Sequence, residues 1–142
     1  MKGPQVSRDE HGRSRLCHGP IDLIVEMFGS KTEVDRAQAQ AAAYFQEVLN
    51  GLVAELALLR RPLGAAYPMF HGPVARAMAR AAWPHRDAYI TPMAAVAGAV
   101  ADAVLAAAVE GRVLQKGYVN NGGDIAFHLT PGETLDAGVV AD

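Results

Sequence analysis

The residues best suited to chemistry in this sequence gather in one run: Asn120, Asn121, Gly122, Gly123 and Asp124. Asn-Gly steps favour positive φ, so the run reads first as the turn of a β-hairpin. The same glycines would let a ligand approach the backbone closely, and their amides could form an anion-binding nest. Asp124, directly after them, could hold a hydroxyl or a metal ion. A second candidate lies upstream, in ITPMAAVAGAVAD at residues 90–102. Thr91 before Pro92 marks a helix start, and free amides at a helix N-terminus attract anions. Thr91 could add its hydroxyl there, with Met93 nearby. Asp102 lies on the same apolar helix. A carboxylate buried on it would need partners, from the backbone or from an arginine such as Arg76 or Arg80.

Other reactive side chains form no recognisable constellation. His11, His18, His71, His85 and His128 lack the HExxH pattern and any short metal-ligand spacing. His71, in a loop before a helix start, is the best placed of them for binding. Arg76 and Arg80 could hold a phosphate or carboxylate, or simply form a solvated helix face. Cys17 is the single cysteine, so it has neither a disulfide partner within the chain nor a CxxC partner. It reads as a small strand residue in a reducing, cytoplasmic compartment. No Ser-His-Asp triad, zinc site or glycosidase carboxylate pair is visible.

These candidates need a scaffold, and the composition supplies one. A chain of 142 residues suits a single domain, and 51% apolar residues suffice for a core. A net charge of -2, with dispersed Lys and Arg, argues against a nucleic-acid partner. Residues 1–12 read as a loose polar leader without the apolar stretch of a secretory signal, and residues 13–142 as the domain. The alanine-rich run 93–109 carries Asp102, and a central carboxylate costs about 2.5–3.5 kcal/mol in a membrane. The run therefore reads as a buried helix of a soluble protein, apolar all round, and no membrane partner is expected.

Strands are expected at 14–18 and 21–28, joined as a hairpin, with Ile21, Leu23, Val25 and Met27 on one face. A long amphipathic helix should start at Thr32 as N-cap and run to about Arg60, with Asn50-Gly51 as a possible kink. A second helix should begin at Gly72-Pro73 and stop at Trp83. The third should run from Met93 to Glu110, with Gly98 allowing close approach and Gly111 closing it. Strands at 113–119 and 125–129 should flank the glycine turn, and another should start at Leu135 and run to Val140. Strands, helices, then strands predict an α+β fold with antiparallel sheet packed on helices.

HGPIDLIVEMFG, ITPMAAVAGAVADAV and YVNNGGDIAFHL, in this order, resemble uncharacterised protein family 0280. That family is related to ApbE, the FAD:protein FMN transferases of flavoprotein maturation. The resemblance places Ile90, Gly98 and Asp102 on one motif of the ApbE pattern, and Asn120, Gly122, Gly123 and Asp124 on its turn. Thr91, Ala97 and Ala99 stand where that pattern has aspartate, lysine and tyrosine. The resemblance implies half of a duplicated, T-fold-like architecture, truncated at its C-terminus. It implies a homo-oligomer, or pairing with the missing C-terminal half. It also implies a small-molecule site for FAD, FMN or another nucleotide-like ligand, with Mg. Thr91, Met93, Asn120, Asn121, Gly122, Gly123 and Asp124 would bind the ligand, and Asp102 and Asp124 the metal. Loss of the lysine at Ala97 makes FMN transfer doubtful. A binding protein, or a structural protein that retains only the fold, is the alternative.

Overall fold

The computed structural model describes residues 2–136 of the chain. It is α+β, with one five-stranded sheet in the order β1-β2-β3-β4-β5 and every neighbouring pair antiparallel. β1 is Gln5–Arg8, β2 Ser14–His18 and β3 Ile21–Phe28. Alternation in β3 sends Ile21, Leu23, Val25 and Met27 into the core, as the sequence pattern predicts. The polar segment before residue 13 is not loose throughout. Gln5–Arg8 pairs with β2 in the register Val6 opposite Leu16, so its backbone donors and acceptors extend the sheet.

Between β3 and β4 the chain makes a helical excursion: α1 (Lys31–Phe45), α2 (Val48–Ala54), α3 (Leu56–Leu59), α4 (Pro73–Ala82) and α5 (Val96–Val109). The first three replace the expected single long helix. The N-cap is Ser30 rather than Thr32, its hydroxyl accepting from the Glu33 amide at 3.3 Å. The breaks fall at Gln46–Glu47 and at Glu55, while Asn50-Gly51 passes through α2 unbroken. Length explains the division. A straight helix from residue 32 to 60 would span about 43 Å, whereas an eight-residue strand such as β3 covers only about 27 Å. Turning at Gln46 and Glu55 keeps Phe45, Val48, Leu49, Leu52 and Leu59 in one core.

Thr91 caps the next segment as expected. Its hydroxyl accepts from the Met93 amide at 3.3 Å, and Pro92–Ala95 forms a 3-10 turn that leads into α5. By length and composition Pro92–Val109 could cross a membrane, with mean hydropathy 1.8. Here it packs against α1, α4, β4 and β5. Its burial is one-sided. Val100, Ala101, Val104, Leu105 and Ala108 are in the core, while Ala94, Asp102 and Ala106 are exposed. The expectation of all-round burial fails because alanine costs little to expose, so a second apolar face demands no cover.

β4 (Lys116–Asn121) and β5 (Asp124–Leu129) close the sheet as a two-residue hairpin. Gly122 and Gly123 sit at φ +59° and +101°, as such a turn requires. One sheet face carries the helices. The other, with Ile24, Phe28, Tyr118, Ile125, Phe127 and Leu129, has no helix on it among the described residues, although Lys116 Nζ reaches across to the Thr134 carbonyl at 2.7 Å. Of the strand expected from Leu135 to Val140, Leu135 and Asp136 are not in strand, and the remainder lies outside the described residues.

Candidate functional site

The β4–β5 hairpin leans on α5. Asn121 Nδ2 donates to the Ala97 carbonyl at 3.2 Å, tying the last residue of β4 to the first turn of the helix. Strand alternation sends Asn120 the other way, onto the open sheet face beside Glu26 and Tyr118. Its Oδ1 accepts from the Gly123 amide at 2.9 Å. That bond locks the turn and spends one of the two glycine amides that could have formed an anion nest.

Asp124 starts β5 on the helix side. It lines a cleft of about 210 Å³ with Ala77 and Ala81 of α4, Ala94 and Ala95 of the 3-10 turn, and Gly98, Ala99 and Asp102 of α5. The cleft exists because its walls are alanine and glycine. A Cβ on Gly98 would lie 3.9 Å from Asp124 Oδ1, an ordinary contact distance, so the glycine faces the carboxylate across the cleft.

Asp102 and Asp124 are both exposed, and neither takes part in an ion pair among the described residues. Asp102 is therefore not the buried carboxylate that would need Arg76 or Arg80. One helical turn separates it from Gly98, so it stands over the cleft mouth rather than in the core. Thr91 and Met93 lie before the cleft and are not among its lining residues. Thr91 spends its hydroxyl on the helix cap, and half-buried Met93 packs against the core. Gly122 and Gly123 are exposed at the hairpin tip.

The carboxylates suit a hard cation, but only in part. Among the described residues, no group of three or more His, Cys, Asp or Glu could hold a metal ion. Two carboxylates match Mg²⁺, which commonly takes one or two from the protein and completes its octahedron with water and phosphate oxygens. At about 210 Å³ the cleft is smaller than most small-molecule pockets, which usually measure about 300–1,000 Å³. A phosphate group with a cation is of the right scale.

Larger hollows lie elsewhere. One of about 400 Å³ runs between α1, α2 and the start of α4, beside Tyr44 and Glu47. Glu55 at its edge accepts from the His71 and Gly72 amides at 2.7 and 3.0 Å, which holds its carboxyl below the usual glutamate range. His71, the best-placed histidine in the sequence, thus contributes its backbone to a structural clamp while its ring faces solvent. Across the sheet, Arg15 makes a two-pronged contact with Asp22 at 2.9 and 2.7 Å, and the Cys17 thiol donates to Asp22 at 3.3 Å. Burial, reinforced by Asp22, pushes the Cys17 thiol up, which leaves it a poor nucleophile.

Sequence reasoning missed the cleft walls on α4. The signal was present as Ala77 and Ala81, four apart on one helix face, opposite the alanines of the 90–102 segment. Small residues at facing positions predict a groove only once the helices are known to be neighbours.

Fold and cleft together define an α+β domain with one antiparallel sheet and a small acidic cleft between a hairpin and a helix. Its sequence matches the family model described as AbpE bacteria over residues 5–142, and the chain belongs to that family. No curated protein and no solved structure matches it.

Proposed function

We propose that this chain is a small-molecule-binding domain that takes the phosphate part of a nucleotide-like ligand, with a divalent cation, in the Asp102–Asp124 cleft. The observation that carries this reading is that two carboxylates, unpaired among the described residues, line one cleft whose other walls are alanine and glycine. Asp102 and Asp124 would supply two oxygens to the cation, and the cation would supply the positive charge that phosphate requires. Gly98 leaves the space between them open. The resemblance to the ApbE-related families supports the ligand class, since Gly98, Asp102 and Asp124 all fall on its motifs.

Binding without transfer is the favoured form of this reading. Ala97 offers no side-chain cation to a departing phosphate, and its carbonyl is engaged by Asn121. The test is thermal melting with ADP, FMN and FAD, each with and without magnesium. A ligand at a hundred times its Kd stabilises by about 2.7 kcal/mol. A magnesium-dependent shift that Asp124→Asn removes supports the reading, and no shift with any ligand refutes it. Release of AMP from FAD would instead restore transfer chemistry.

A further inference from the structure

We propose that the free edge of β5 pairs with β5 of a second copy of this chain, joining two sheets into one antiparallel sheet about a two-fold axis at Phe127. The hairpin fixes which backbone groups are free. In a two-residue hairpin the flanking residues, here Asn121 and Asp124, form a hydrogen-bonded pair, and such pairs alternate along the ladder. The bond from the Thr130 amide to the Gln115 carbonyl, at 3.1 Å, keeps the same parity. The amides and carbonyls of Ile125, Phe127 and Leu129 therefore point away from β4, at a sheet edge with no further strand among the described residues.

The side chains at those positions are the exposed apolar ones: Ile125 at 47%, Phe127 at 61% and Leu129 at 39%. β5 has no proline, lysine or bulge to blunt its edge, the devices that usually block edge pairing. The opposite edge differs. β1 has four residues, three of them polar, follows Pro4, and carries Arg8 bound to Asp35.

A two-fold axis at Phe127 makes the edge self-complementary. Phe127 meets Phe127 of the second copy, and Ile125 meets Leu129 of the second copy, all on the open face. Ala126 falls opposite His128 of the second copy on the helix side. Asp124 falls opposite an uncharged residue, Thr130 of the second copy. No like charges are opposed, and every free backbone group of the three residues finds a partner. This fixes both the occupant and the register.

Light scattering across a wide range of protein concentrations tests the pairing, together with Phe127→Lys, Ile125→Lys and a cross-link. The cross-link uses Phe127→Cys in a Cys17→Ser background, since directly opposed residues lie within disulfide reach. Val6→Cys in the same background reports collisional oxidation at the other edge. The expected result is a dimer for the natural chain and a monomer for either lysine variant that keeps its circular dichroism spectrum. Disulfide dimer should form from Phe127→Cys at least tenfold faster than from Val6→Cys. A monomer at all concentrations overturns the proposal, as does a dimer unaffected by folded lysine variants. Equal cross-linking of the two cysteine variants overturns it too.

Discussion

Asn121 and Ala97 are joined by a single hydrogen bond of 3.2 Å, from the side-chain amide at the end of β4 to a backbone carbonyl in the first turn of α5. The bond sets how far the hairpin stands from the helix, and so the width of the cleft that Asp124 enters. Removing it in Asn121→Ala should cost roughly 1 kcal/mol of stability, read from denaturant unfolding. It should also weaken any ligand of the cleft, because Asp124 is three residues away on the same turn. Stability lost with ligand affinity unchanged would separate the hairpin from the site.

The turn glycines should respond unequally. Gly122 at φ +59° lies where asparagine is tolerated, so Gly122→Asn should be close to neutral. Gly123 at φ +101° lies beyond that region, and Gly123→Ala should cost about 1–2 kcal/mol. Unfolding curves for the two variants give the comparison, and equal losses would mean that the turn is not as described.

Acid should loosen the clamp at the start of α4. Glu55 has its folded-state pKa below the ordinary glutamate value, because the charged form accepts from the His71 and Gly72 amides. Its contribution is therefore complete above the ordinary value and is lost as pH falls through the depressed one. In Glu55→Gln that acid-side dependence should disappear, and the two stability curves should converge at low pH. Asp22, held down by Arg15, adds a loss of the same sign, so the natural chain should show a combined decline. Parallel curves for natural chain and variant would show that Glu55 is not the titrating group.

Filling the cleft should separate binding from folding. Gly98→Val adds methyl groups on a Cβ that would itself lie 3.9 Å from Asp124 Oδ1, and so reduces the space of the cleft. Gly98 lies inside α5, and replacing glycine in a helix recovers about half a kcal/mol or less with a β-branched residue. Stability should therefore change little, while ligand-induced melting shifts should vanish. Retained shifts would move the site elsewhere.

Much of this fold was legible where pattern and punctuation agreed. β3 places Ile21, Leu23, Val25 and Met27 at every second position, and Thr91-Pro92 and Gly72-Pro73 mark helix starts from local chemistry alone. The helix division at Gln46 and Glu55 was not legible, because the apolar stripe continues through both breaks. Only the size of the sheet beneath limits the helix. The strand at Gln5–Arg8 was hidden for a related reason: an edge strand exposed on both faces has no alternation to betray it. At the site, the turn and Asp124 could be read from residue types. The opposite directions of Asn120 and Asn121 follow from strand parity, which needs the strand boundary. The α4 wall of the cleft needs tertiary neighbours that no single stretch encodes.

Binding of magnesium with ADP to the natural chain and to Asp124→Asn, followed by calorimetric titration, tests the function most directly. Binding should require the metal, and Asp124→Asn should weaken it at least tenfold while leaving the melting temperature of the unliganded protein nearly unchanged, since Asp124 is exposed and unpaired among the described residues. Equal binding by both proteins, or none by the natural chain at any magnesium concentration, would contradict a cation-phosphate site between Asp102 and Asp124.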